Sequence, residues 1–322
     1  MKYERLGNSG LVVSRIALGC MGFGDTARGF NQWALSEEQA KPIFLKALEL
    51  GITFWDTANI YGYGSSEEIV GRAIKNYSRR EDVVLATKVG LRAQATGAGA
   101  GLSRKTILHQ IDASLTRLGT DYVDLYQIHR FDPNVPVEET MEALHDVVKA
   151  GKVRYLGASS MWAWQFASMQ HAAELHGWTK FISMQNQYSL MQREEEREMF
   201  PLLENLGVGS MPWSPLARGL LARPWGEQSR RGDVDDRQQA FFRQDDRDIA
   251  AAVQAVAERF GASMAQVALA WILQRPCVVA PVVGATSARH LEDASDALEI
   301  SMTEDQIVSL EEHYTVRVPT GF

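Results

Sequence analysis

The sequence predicts an α/β chain folded as a (β/α)8 TIM barrel, with an N-terminal β-hairpin and extra helices and loops over the C-terminal face. Three observations carry that expectation. Short apolar runs alternate with amphipathic stretches, the rhythm of a parallel sheet flanked by helices. Eight strand–helix units fit into the 322 residues. No low-complexity linker divides them, so residues 1–322 read as a single domain.

Each element has its own justification. Residues 2–6 and 11–14 flank the polar turn Gly7-Asn8-Ser9-Gly10 and form the hairpin. Strand 1 covers 16–18. Residues 36–50 are helical, with Ser36 as N-cap and Gly51 ending the helix. Strand 2 is 53–56, followed by a helix at 66–74. Strand 3 is 83–88, and Ser103 caps a helix running to about Leu118. Strand 4 is 123–129, and its helix, 137–150, stops at Gly151. Strand 5 is 153–159 with helix 163–176. Strand 6 is 181–185 with helix 194–206. Strand 7 is 208–213, followed by helices 250–260 and 263–274. Strand 8 is 278–283 with helix 287–298.

Four titratable residues, Asp56, Tyr61, Lys88 and His129, stand at or just beyond the ends of strands 2, 3 and 4. A polar group ending a buried strand is costly unless it is paired or used. Barrel enzymes keep their chemistry at these C-terminal strand ends, so the four are expected to share one site. Side chains alternate along a strand, so an inward Asp56 sends Trp55 outward to the helices. A Lys88 ammonium beside a phenol favours the phenolate, and is expected to lower the Tyr61 pKa from about 10. Asp56 keeps that ammonium charged and oriented. A phenol so tuned is a proton donor near neutral pH, and His129 can hydrogen-bond the reacting oxygen. The matching substrate is a carbonyl whose oxygen becomes an alkoxide. The hydride that must then reach the carbon requires a nicotinamide. A rival use of Lys88 as a Schiff-base amine leaves Asp56 and Tyr61 without clear roles.

Composition narrows the class. The chain is 45% hydrophobic and 23% charged, with a formal net charge of −7. That balance argues against nucleic acid as a partner. No apolar run approaches the ~18 residues of a membrane span. The charged start Met1-Lys2-Tyr3-Glu4-Arg5 lacks a signal-peptide core. Cys20 and Cys277 form no C-x-x-C pair, which speaks against structural zinc and disulfides. No metal is expected, and the protein reads as cytoplasmic with reduced thiols.

The constellation sits in a series of motifs. They are Asp56-Thr57-Ala58-Asn59-Ile60-Tyr61-Gly62, Ala86-Thr87-Lys88, Gln127-Ile128-His129, Gly157-Ala158-Ser159-Ser160, Trp213-Ser214-Pro215-Leu216 and Gly284-Ala285-Thr286. In this order, over nearly the whole chain, they resemble the aldo-keto reductase superfamily. Ser183-Met184-Gln185-Asn186 with Arg193-Glu194-Glu195-Glu196-Arg197-Glu198 looks closest to its aryl-alcohol-dehydrogenase-like branch. The resemblance implies reduction of aldehydes or ketones, aryl aldehydes among them, with NADPH/NADP+ as cofactor and a small-molecule carbonyl substrate. It implies Tyr61 as general acid, Lys88 and Asp56 as its tuning pair, and His129 as the carbonyl-orienting residue. Ser159 and Gln185 look like carboxamide ligands of the nicotinamide, and Trp213 like the ring on which it stacks. Ser214, Leu216, Arg218 and Gly219 look like the pyrophosphate loop. Thr286, Arg289, His290 and Asp293 look like the adenosine end, with Arg289 or His290 near a 2′-phosphate. Met21, Asp56 and Gly284 are expected to line the cofactor as well. The resemblance also allows a barrel that binds the cofactor as a redox sensor with little turnover.

The sequence departs from the family pattern twice. Ser160 stands where Asn is common, and Asp293-Ala294 follow Glu292 where Asn often ends the adenine motif. Other features have two readings. Gly97, Gly99 and Gly101 fit a loop above the barrel mouth rather than a phosphate motif. The glycines of 19–24 are in the wrong order for a dinucleotide turn. Phe23, Phe30, Trp33, Trp162 and Trp164 can line an aromatic pocket or pack on helices. Residues 223–247 are a solvated loop or a flap that closes over the cofactor.

Overall fold

The computed structural model describes residues 1–28, 31–91, 100–227, 243 and 246–319. A two-stranded antiparallel hairpin, β1 (Tyr3–Arg5) and β2 (Val12–Ser14), opens the chain. Eight parallel strands follow: β3 (Ala17–Gly19), β4 (Phe54–Asp56), β5 (Val84–Val89), β6 (Val123–Ile128), β7 (Val153–Ser159), β8 (Phe181–Gln185), β9 (Gly209–Ser210) and β10 (Val282–Gly284). They lie in the order β10-β3-β4-β5-β6-β7-β8-β9. Parallel bridges Ser210–Val278 and Trp213–Val282 then join the two ends of that order. Val279 N–H donates to Ser210 O at 2.9 Å and Val282 N–H to Pro212 O at 2.8 Å. The sheet therefore curls until its edges exchange hydrogen bonds, consistent with the (β/α)8 fold.

Strands 7 and 8 are shorter than the sequence predicts. The predicted runs 208–213 and 278–283 contain Pro212 and Pro281. Proline has no N–H for the ladder, so regular pairing breaks into isolated bridges there.

Ten helices are described: α1 (Glu37–Glu49), α2 (Ser65–Tyr77), α3 (Arg104–Leu118), α4 (Val137–Lys149), α5 (Ala163–His176), α6 (Met199–Leu206), α7 (Asp246–Phe260), α8 (Met264–Leu273), α9 (Ala288–Asp296) and α10 (Glu304–Glu311). Ser36 and Ser103 cap α1 and α3 as expected, each accepting from a backbone N–H in the first turn. The predicted helix 194–206 is instead a 3-10 turn, Glu194–Glu196, followed by α6. Pro201 explains the break, because its ring clashes with the carbonyl four residues earlier. Helix α10 was not anticipated. Its signal was present in Thr303 and Gln306, which form a capping box.

Two apolar clusters divide the interior. The larger lies between the strands and helices and includes Trp55, whose ring sits 5.0 Å from Phe44. That is the outward orientation expected from alternation. The smaller gathers Ala17, Phe54, Ala86, Leu125 and Met211 with Leu6 and Val13 of the hairpin. The hairpin thus closes the N-terminal end of the strands. It can approach because Gly7 has φ +59° and its position leaves no room for a side chain. A Cβ there would stand 2.5 Å from Gly207 O and 2.8 Å from Gly209 N. Cys20 and Cys277 are buried free thiols. No helix among the described residues is long and apolar enough to cross a membrane.

Candidate active site

The parallel register sets the site. Asp56 ends β4 opposite Ala86, and Lys88, two residues on, lies opposite Gln127 of β6. Since i and i+2 share a face, Phe54 and Asp56, Ala86 and Lys88, and Leu125 and Gln127 all point inward. The apolar member of each pair fills the N-terminal cluster, and the polar member rises above it. His129 follows β6 directly, its N–H bonded to Val89 O at 2.7 Å. Tyr61 enters from the turn Tyr61–Gly64 that precedes α2.

The four predicted residues do converge. Lys88 Nζ donates to Asp56 Oδ2 at 2.5 Å, to Thr57 O at 3.0 Å and to the Tyr61 hydroxyl at 3.2 Å. The Tyr61 and His129 rings meet edge to face at 5.8 Å. Lys88 and Asp56 are essentially sealed from solvent. Asp56 Oδ1 is held as well, accepting from Gln127 Nε2 at 2.8 Å and Gln185 Nε2 at 3.0 Å. A buried carboxylate with this many donors meets the requirement that buried charge be both paired and hydrogen-bonded.

Electrostatics correct one expectation. The Tyr61 phenol is not lowered. Burial pushes it above 10, and the opposing pull of Lys88 does not offset that. The Asp56 carboxylate adds to the rise, while Arg130 opposes it. The sequence argument weighed the cation and omitted the desolvation of the phenolate. Lys88 is net raised: burial pulls it down, but Asp56 and Tyr61 outweigh the burial. Burial, then Lys88 and Arg130, holds His129 well below its usual range, so the imidazole is neutral. Among the described residues, His129 Nδ1 is buried without a hydrogen-bond partner.

The predicted cofactor residues fall on the same end of the strands. Ser159 Oγ donates to Gln185 O at 2.7 Å, tying β7 to β8. Trp213 donates through Nε1 to Ser160 Oγ at 2.8 Å. Ser160, unassigned from sequence, therefore fixes the ring expected to carry the nicotinamide. Its own φ is +36°, a strained value for serine. Met21 is half-buried in the turn after β3. Downstream, Ser214, Ala217, Arg218 and Gly219 have φ of +53°, +46°, +57° and +99°. Left-handed residues in close succession turn backbone N–H groups into an anion-binding concavity. Leu216 accepts from Gly219 N–H at 2.8 Å, which holds that turn. Gly284 ends β10 with open space where a Cβ would stand. Thr286, Arg289 and His290 are exposed at the start of α9, and Thr286 N–H donates to His290 Nδ1 at 3.3 Å. Asp293 accepts from Ser263 Oγ at 3.3 Å and so helps join α9 to α8.

Three residues were missed as site members. Gln127 shares the inward face with Leu125, a signal that period-two counting could have caught. Arg130, next to His129, lies with its guanidinium 5.9 Å from the Trp213 ring centre. Arg223 approaches within 3.7 Å of where a Gly219 Cβ would stand, and acts electrostatically on His290 together with Arg289. The aromatic set splits. Phe23 packs on Phe44 in the core, Trp33 is buried, and Trp162 and Trp164 are exposed. Phe30, Gly97, Gly99 and most of the segment 223–247, read as a loop or a flap, lie outside the described residues.

The sequence as a whole is similar to known proteins. The family model described as "Aldo/keto reductase family" matches residues 15–315. The chain belongs to the aldo/keto reductase family. It is 45% identical to the versiconal hemiacetal acetate reductase of Aspergillus parasiticus, covering 98% of this chain and 97% of that protein. It is 44% identical to the aldo-keto reductase AFTS1 of Alternaria alternata, over 99% and 93% of the two chains. A Schizosaccharomyces pombe protein bearing an aryl-alcohol dehydrogenase name is 42% identical, over 97% and 95%. As an aldo/keto reductase the chain is an oxidoreductase of a family that uses nicotinamide cofactors. A nicotinamide dinucleotide fits the donor set here. The left-handed loop at 214–219 with Arg218 and Arg223 suits its phosphates, and Trp213 suits its ring.

Proposed function

We propose that this protein reduces aldehydes or ketones to alcohols with NADPH, Tyr61 delivering the proton. The observation that carries the reading is the buried contact of Lys88 Nζ with both Asp56 Oδ2 and the Tyr61 hydroxyl. When bound, NADPH supplies the hydride that attacks the carbonyl carbon. Tyr61, still protonated because burial raises its pKa, gives its proton to the carbonyl oxygen. The phenolate left behind is stabilised by the adjacent Lys88 ammonium, which Asp56 keeps charged and aimed. Neutral His129 can donate a ring N–H to the same oxygen without competing as an acid. Ser159 and Gln185 would hold the carboxamide, and Ser160 fixes Trp213, on which the nicotinamide ring would pack. Arg289 and Arg223, which both act electrostatically on His290, form the cationic end suited to a 2′-phosphate, which is the basis for choosing NADPH over NADH. We read the chain as one catalytic unit acting in the cytoplasm on small-molecule carbonyls, with aryl aldehydes as first candidates.

The test is Tyr61→Phe. NADPH consumption with 4-nitrobenzaldehyde should fall by roughly 10²–10⁴-fold, the usual worth of a positioned acid. Fluorescence titration should show NADPH binding nearly unchanged in the variant and tighter than NADH binding in both proteins. Wild-type turnover by the variant would refute the role of Tyr61. Tight binding with no turnover by the wild type would favour the redox-sensor reading.

A further inference from the structure

Arg130 is the charge that the reaction leaves without a role. It follows His129 at the end of β6 and is mostly buried. Its Nη1 donates to His129 O at 2.5 Å, and it makes no ion pair among the described residues. Six other arginines of comparable burial, Arg15, Arg80, Arg117, Arg193, Arg275 and Arg317, each face a carboxylate. A buried guanidinium with one carbonyl acceptor is incompletely compensated. Burial holds Arg130 down to about 10, still charged at neutral pH. Its other guanidinium nitrogens have no hydrogen bond among the described residues, and none is among the sealed, partnerless atoms. They therefore keep access to solvent.

Its position selects the ligand. The guanidinium is close enough to the Tyr61 hydroxyl to oppose the rise in that group's pKa. It also lies 5.9 Å from the centre of the Trp213 ring. It thus stands at the reacting end, whereas the left-handed loop and α9 serve the phosphates. Phe131, the next residue, meets the exposed Trp164 edge to face at 6.0 Å, so an aromatic wall adjoins the cation.

We propose that Arg130 anchors a carboxylate on the substrate, so that the preferred substrates are carbonyl compounds bearing an acidic group, aromatic ones included. The inference rests on the carbonyl-reductase reading above. A carboxylate matches the planar fork of donors and supplies the missing counter-charge, which a neutral carboxamide does not.

The experiment compares 4-carboxybenzaldehyde with methyl 4-formylbenzoate, which has nearly the same shape and no charge. Wild-type kcat/KM should favour the acid by roughly tenfold to a hundredfold, the range of a charge-assisted bond. In Arg130→Met the acid-to-ester ratio should fall to about one or below, and Arg130→Lys should recover part of it. A ratio near one in wild type, or an unchanged ratio in Arg130→Met, overturns the assignment. So does a loss of NADPH binding in Arg130→Met equal to the loss of turnover, since Arg130 would then belong to the cofactor. A second measurement separates this inference from its premise. 4-(Hydroxymethyl)benzoate and its methyl ester are titrated against tryptophan fluorescence of the NADP+-loaded protein. If neither aldehyde is turned over, the reductase reading fails. Selective binding of the benzoate that is lost in Arg130→Met would still support an anion site, and equal binding by both proteins would remove it.

Discussion

Lys88 is the residue on which the site's electrostatics turn. Its ammonium is sealed from solvent, and Asp56 Oδ2 is its only carboxylate partner among the described residues. Removing one member of a buried pair is worse than removing both, because the survivor keeps its desolvation cost. Lys88→Met should therefore lower unfolding free energy by about 3–5 kcal/mol, as well as abolish the support for a Tyr61 phenolate. The double variant Asp56→Asn/Lys88→Met should regain much of that stability in urea titrations but none of the activity. If the single and double variants unfold together, the pair does not carry the strain assigned to it. At this scale sequence and structure part company in an instructive way. That Asp56, Tyr61, Lys88 and His129 would meet was legible, since strand alternation and register follow from the residues themselves. The direction of the Tyr61 pKa was not, because desolvation depends on how completely neighbouring elements cover the ring. Arg130 and Gln127 were hidden for a related reason: a polar residue beside a recognised one looks ordinary until its partners, or their absence, can be seen.

The elements hold the site through close approaches that the sequence does not advertise. Helix α2 lies against α3 at Gly71, where a Cβ would stand 2.2 Å from Leu118 O. One turn earlier on α2, buried Glu67 accepts from Arg117 Nε of α3 and from Thr87 Oγ1 of β5, both at 2.6 Å. Thr87 adjoins Lys88, so this crossing braces the strand that carries the buried Lys88 ammonium. Gly71→Ala brings a helix-propensity gain of at most about 1 kcal/mol. Against it stands a clash with backbone, which must be relieved by moving one helix and costs typically 1–3 kcal/mol. The expected result is a lower thermal midpoint together with reduced turnover, read by calorimetry and NADPH consumption on one preparation. A midpoint equal to or above wild type would mean that α3 gives way freely and the brace is slack. Helix boundaries, by contrast, were largely readable from local chemistry. Ser36 and Ser103 cap where expected. The failures cluster at Pro201, Pro212 and Pro281, where a ring without an N–H overrides the apolar pattern.

At the scale of the molecule, the C-terminal segment clasps the strand-6 end to the last helices. Glu194 accepts from the Tyr314 hydroxyl at 2.7 Å and from Arg317 N–H at 3.0 Å. Arg317 pairs with buried Asp246 at 2.6 Å, and Arg193 with Glu311 at 2.7 Å. Within this clasp, Glu195 is buried. Burial and then the adjacent Glu194 charge push its carboxyl up to about 8. The consequence for stability has a definite sign. Between the ordinary carboxylate range and about 8, the folded chain holds this proton and the unfolded chain has lost it. Stability is fully supported below the unfolded pKa and declines as pH rises through about 8. The slope is at most about 1.4 kcal/mol per pH unit. Glu195→Gln, which keeps the shape and removes the titration, should flatten the fall in unfolding free energy between pH 5 and pH 8, a window bounded by the ordinary Glu pKa and the raised one. Most of its gain should appear at the alkaline end. Parallel denaturation curves for the two proteins across that window would show that the Glu195 carboxyl ionises in the fold without cost.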